Sequence, residues 1–81
     1  MTNKKRQINL YNLVVNLGFE RIDKDNFIIF KNGEEILVYP KTDLEDHHFI
    51  TTRHQLNMNG WMSDYDFDVN FKIHKSYGNY K

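Results

Sequence analysis

Residues 26–40 read Asn26-Phe27-Ile28-Ile29-Phe30-Lys31-Asn32-Gly33-Glu34-Glu35-Ile36-Leu37-Val38-Tyr39-Pro40. Two apolar, β-prone runs flank an Asn32-Gly33 pair, the strongest short-range signal for a hairpin, here with a type I′ turn. With Asn32 and Gly33 as the central turn residues, Lys31 opposes Glu34, Ile29 opposes Ile36 and Phe27 opposes Val38. Side chains alternate along a strand, so Phe27, Ile29, Ile36 and Val38 share one face while Ile28, Phe30, Leu37 and Tyr39 share the other. Both faces are apolar. A chain of 81 residues covers only one such face well, and the other is left for a second layer or a partner. The alternation leaves open which face the first helix takes.

Upstream of the hairpin, Leu10, Leu13, Val14 and Leu17 recur at helical spacing with Asn9, Asn12 and Asn16 opposite, and Gly18 stands where a helix stops. Phe19-Glu20-Arg21-Ile22 alternates as a short strand, and Asp23-Lys24-Asp25 is a polar turn. Residues 1–7, with the charge run Lys4, Lys5 and Arg6, read as a flexible basic lead. Downstream, Pro40 ends the third strand, and residues 41–48 are polar and acidic. Phe49 to Gly60 reads as a second helix with Ile50, Arg53, Leu56 and Gly60 along one side. Beyond Ser63, Tyr65, Phe67, Val69, Phe71 and Ile73 alternate with Asp64, Asp66, Asp68, Asn70, Lys72 and His74. That period of two predicts a half-buried strand whose acidic residues blunt a sheet edge. A short helix capped by Ser63, with Asp64 and Asp66 in its first turn, is the competing reading. Residues 75–81 read as a flexible tail.

The expected architecture is therefore a small α+β domain over residues 8–74 of order α-β-β-β-α-β, with helices packed on one face of an antiparallel sheet. Eleven Lys and Arg balance eleven Asp and Glu, which speaks against nucleic-acid binding through overall positive charge while leaving room for a local patch. The chain has no cysteine, hence no disulfide framework or thiolate zinc site, which fits a reducing compartment. No apolar run approaches a membrane span and the polar start lacks a signal-peptide core, so a cytoplasmic location is expected.

The order of helix, Leu17-Gly18-Phe19, strand, strand, Asn-Gly turn, strand and Val38-Tyr39-Pro40, followed by Thr52-Arg53 through Leu56 to Gly60, resembles the HicA-type toxins of bacterial toxin–antitoxin systems over roughly residues 8–61. The resemblance implies a double-stranded-RNA-binding-domain-like fold and an RNA-cleaving activity. That activity depends on a histidine between the first two strands. Here the loop reads Asp23-Lys24-Asp25-Asn26, with no histidine and two carboxylates that repel an RNA backbone. The resemblance then implies a retained scaffold without the toxin chemistry.

His47, His48 and His54 lie near Asp43, Glu45 and Asp46. They are candidates for proton transfer, His47 and His48 foremost. Their spacing matches no standard metal site, and no metal or cofactor is expected. Asp64, Asp66, Asp68 and Asn70 have the alternation of a calcium loop, but Val69 stands where its glycine belongs and Lys75 where its bidentate Glu belongs. An acidic strand face there would also imitate phosphate spacing. Trp61, between Met58 and Met62, suits either core packing or a binding hot spot.

The leading expectation is a non-catalytic protein-binding module. It would use Phe27, Ile29, Ile36, Val38 and Trp61 toward a protein partner or a second copy in a dimer, as an accessory, antitoxin-like or phage-encoded inhibitor acting by surface occupation. The alternative is a HicA-like RNA-binding protein or mRNA interferase that holds phosphates with Lys4, Lys5, Arg6 and Arg53 and moves protons through His47 or His48.

Overall fold

A computed structural model describes residues 3–71. Its elements are α1 (Asn3–Asn16), β1 (Glu20–Asp23), β2 (Phe27–Asn32), β3 (Glu35–Pro40), α2 (Asp46–Met58) and α3 (Asp64–Phe71), giving the order α-β-β-β-α-α. The strands form one antiparallel sheet in the order β1-β2-β3. Three helices and a three-stranded sheet make this a small α+β domain.

Helix α1 starts at Asn3, five residues before the expected boundary, so most of the basic lead is helical. The reason lies in tertiary anchors. The Arg6 guanidinium sits 4.5 Å from the centre of the Phe49 ring and 3.5 Å from Asp46, and the Gln7 side-chain oxygen accepts the Leu44 N–H at 3.2 Å. These ties fix the first turn against the start of α2, where an unanchored end would fray. Leu10, Tyr11, Leu13 and Val14 are buried, and the asparagines face outward as the spacing predicts.

Both α1 and α2 end in the same stop. Phe19 N–H bonds Val14 O and Gly18 N–H bonds Val15 O, while Trp61 N–H bonds Leu56 O and Gly60 N–H bonds Asn57 O. Each is a Schellman motif, which places its glycine at positive φ, 103° at Gly18 and 81° at Gly60. The residue after each glycine turns back toward the core, and the two rings, Phe19 and Trp61, pack with centres 4.8 Å apart and planes tilted by 57°.

The hairpin differs from expectation in register. Asn32 pairs with Glu35, Phe30 with Leu37, Ile29 with Val38 and Phe27 with Pro40, and the loop is Gly33-Glu34. A primed turn needs positive φ at its first central residue. Gly33, at φ 63°, takes that place, and Asn32 extends the strand instead. The slip is of two residues, so every side chain keeps its face. Ile28, Phe30, Leu37 and Tyr39 are 0–4% exposed beneath the helices, in one core with α1, Leu44, Phe49, Leu56, Phe67 and Phe71.

Helix α2 buries Phe49, Thr52 and Leu56 and leaves Ile50 exposed, so the expected stripe through Ile50, Arg53, Leu56 and Gly60 is displaced around the helix. Thr52, a poor helix former, is held by hydrogen bonds in both directions. Its hydroxyl donates to His48 O at 2.8 Å, leaving its oxygen to accept the Tyr39 hydroxyl at 2.6 Å.

The predicted final strand is a helix over residues 64–71. The Ser63 hydroxyl caps it, accepting the Asp66 N–H at 3.1 Å, and Asp64 and Asp66 lie in its first turn where the helix dipole favours them. The alternation misled because Phe67 and Phe71, four apart, fill the core while Tyr65 and Val69 point to solvent. The acidic residues accordingly do not form a strand face, and the edge-blunting and phosphate-mimicking roles expected of them fall away. Ile73 and the tail 75–81 lie outside the described residues.

Candidate functional site

The face of the sheet away from the helices carries Ile22 of β1, Phe27 and Ile29 of β2, and Ile36 and Val38 of β3. Registers align Ile22, Ile29 and Val38 in one row across all three strands. Beside it runs Glu20-Lys31-Ile36, in which the two charges are cross-strand partners, and at the far end Phe27 pairs with Pro40. Phe27 is 39% exposed, Ile36 48% and Val38 54%, with Ile22 and Ile29 half-buried between their neighbours. A row of three β-branched residues that no other described element covers is an apolar surface whose desolvation favours association.

Phe27, Ile29, Ile36 and Val38 are thus brought together as the sequence suggested. Ile22 joins them; its two-residue spacing from Glu20 puts both on this face of β1, while Arg21 and Asp23 on the other face are exposed. Trp61 does not join them. It is half-buried against Phe19 and the core on the covered side, away from the apolar row.

The outer edge of β3 is partly closed. In a two-residue hairpin the residues flanking the loop exchange main-chain hydrogen bonds, and alternate pairs do so thereafter. Ile36, Val38 and Pro40 therefore turn their main-chain groups away from β2. Pro40 brings no N–H to that edge, and the Gln55 side-chain amide donates to Ile36 O at 3.1 Å. Gln55 also donates to the Glu35 carboxylate, as does Asn59 at 2.9 Å. The Gln55 bond above all holds the Glu35 carboxyl below its ordinary pKa.

Between this edge and α2 lies a cleft of about 180 Å³ lined by Leu37, Val38, Tyr39, His47, His48, Thr51, Thr52 and Gln55. The His47 and His48 rings are 4.0 Å apart. His48 Nδ1 accepts the Glu45 N–H at 2.8 Å, capping α2, so the neutral ring carries its proton on Nε2. Burial, and then the neighbouring His47, push the His48 pKa down. Tyr39, the nearest phenol, is pushed far up by burial and spends its proton on Thr52. This arrangement caps a helix; it places no base against a nucleophile. Among the described residues no three His, Asp or Glu side chains converge as metal ligands.

The chain matches no family model, no curated protein and no solved structure.

The cations suggested for phosphate binding are not assembled into one surface. Arg53 is bidentate to Asp68, Nε to Oδ1 at 2.8 Å and Nη2 to Oδ2 at 3.0 Å, with Asp64 3.7 Å from Nη1. Arg6 is turned to Phe49 and Asp46. Lys4 and Lys5 are exposed on the first turn of α1. No helix among the described residues is long and apolar enough to cross a membrane.

Proposed function

We propose that this chain is a non-catalytic protein-binding module that occupies a surface on a protein partner with the uncovered face of its sheet, in the manner of an accessory, antitoxin-like or inhibitor protein. The observation that carries the reading is the continuous apolar row Ile22-Ile29-Val38, bordered by Phe27 and Ile36, on a sheet whose other face already holds all three helices. Burying such a row releases water without asking charged groups to desolvate. The HicA-like alternative keeps the α-β-β-β-α order of residues 3–58 as its support. Against it, Arg6 and Arg53 are engaged within the domain, and His48 is engaged in a helix cap.

Light scattering over a dilution series tests the reading. Association through this face is insensitive to salt between low and high ionic strength, unlike phosphate binding. Val38→Lys and Ile36→Lys, both at sites about half exposed, leave the fold intact and abolish the association. A chain that stays monomeric throughout keeps the face for a different protein, and binding of a hydrophobic dye that Val38→Lys leaves unchanged would refute the proposal.

A further inference from the structure

On the covered side of the sheet, where α1 passes β1, the helix leaves a cleft of about 480 Å³ lined by Lys4, Gln7, Ile8, Tyr11, Arg21, Asp23, Ile28 and Lys41. Three cations and one carboxylate border it, a local excess of positive charge in a chain that is balanced overall. The carboxylate is already committed. Asp23 accepts Arg21 Nε at 2.8 Å, and that bond, with Lys41 nearby, holds its pKa below the usual range. Because Arg21 spends Nε on Asp23, its two terminal nitrogens remain as a donor pair of the geometry that grips an oxyanion. The guanidinium is braced over the Tyr11 ring at 5.5 Å. The Tyr11 hydroxyl accepts from Gln7 at 3.5 Å and keeps its own proton for donation. Lys4 and Lys41 have no ion-pair partner within 4 Å among the described residues.

We propose that this cleft is a binding site for a phosphomonoester dianion, with Arg21 and Tyr11 donating to the phosphate, Lys4 and Lys41 neutralising it, and Ile8 and Ile28 meeting the ester's carbon side. The volume is of the size that holds a small ligand. The single carboxylate at its border, Asp23, opposes a long polyanion and favours a compact one. The site lies on the opposite side of the sheet from the apolar row and stands independently of the protein-binding reading.

The test is an amide-shift titration of the full chain with inorganic phosphate at constant ionic strength, with chloride as the control anion. Saturable shifts centred on α1, β1 and Lys41 are expected, with no such response to chloride. Lys41→Gln and Lys4→Gln, both exposed, should each weaken binding by roughly tenfold, the worth of one charge-assisted contact. Lys5→Gln, next in sequence but outside the cleft, should change nothing. Adenosine monophosphate and a sugar phosphate distinguish the sources of the group, the tighter of the two naming the ester. Shifts that stay linear, that chloride reproduces, or that Lys5→Gln weakens as much as Lys41→Gln would overturn the site. Displacement of phosphate by an oligoribonucleotide without terminal phosphates would overturn the compact-dianion assignment.

Discussion

Replacing Asp68 with Ala should undock α3. The Arg53–Asp68 pair is bidentate, at 2.8 and 3.0 Å, and its side chains are only 18% and 12% exposed. Removing one member of a buried pair leaves a charge without compensation, at a cost of about 3–5 kcal/mol. Asp64, 3.7 Å from the guanidinium, takes over part of the role, which brings the expected loss to roughly 2–3 kcal/mol. Chains of this size are stable by about 4–12 kcal/mol in all, so the change is large. It is read by urea unfolding followed through Trp61, the single tryptophan of the chain, whose ring packs on Phe19. Arg53→Met with Asp68→Leu replaces the pair by apolar side chains, and should recover to within about 1 kcal/mol of the parent. A loss below about 0.5 kcal/mol for Asp68→Ala, the range of an ordinary surface substitution, would refute the reasoning. So would a double variant as unstable as the single one.

The two helix stops make a matched comparison. Gly18→Ala meets both a φ of 103° and the Asn32 amide nitrogen 3.1 Å from the new methyl, whereas Gly60→Ala, at φ 81°, meets open space. The first should cost about 2 kcal/mol and the second about 1 kcal/mol in urea unfolding, and equal losses would argue against the Asn32 contact. Acidification should loosen the start of α2. His48 has a lower pKa folded than unfolded, so the unfolded chain takes up more protons as pH drops below about 6.5, and stability falls from there toward the folded pKa. Thermal melts between pH 7.5 and 5 should show that slope, and His48→Gln, which keeps an acceptor for the Glu45 N–H, should reduce it. Tyr39→Phe deletes the donor to Thr52 and should cost about 1 kcal/mol, since Thr52 keeps its bond to His48 O.

The elements most legible in the sequence were those whose signals agree at several levels. α1 had a helical apolar stripe and a glycine stop, and β2 and β3 had alternation with a turn glycine between them. The hairpin register was misplaced because Asn32-Gly33 and Gly33-Glu34 both satisfy primed turns, and only the structure shows Asn32 continuing the ladder. Its faces were nonetheless read correctly, because a slip of two preserves parity. α3 was misread because apolar residues two apart look like a strand until tertiary contacts separate Phe67 and Phe71 from Tyr65 and Val69. The local evidence for the helix, Ser63 followed by two acidic residues, was present and was outweighed. Of the open-face residues, four of five were readable from alternation. The cleft at Arg21 was not, since Lys4, Arg21 and Lys41 are far apart in sequence and meet only when α1 crosses β1.

The closure at the rim of β3 bears on how this protein can aggregate. A sheet with an apolar face invites stacking, and one with a bare edge invites endless strand addition and fibrils. Here the two hazards are separated. Pro40 and the amide of Gln55 spoil the hydrogen-bonding ladder at one rim, and β1, four residues long, offers little template at the other. What remains for association is the flat of the sheet, which a single facing partner can cover. Assemblies of this chain should therefore be finite, capped complexes, and even at high concentration it should resist conversion to cross-β filaments.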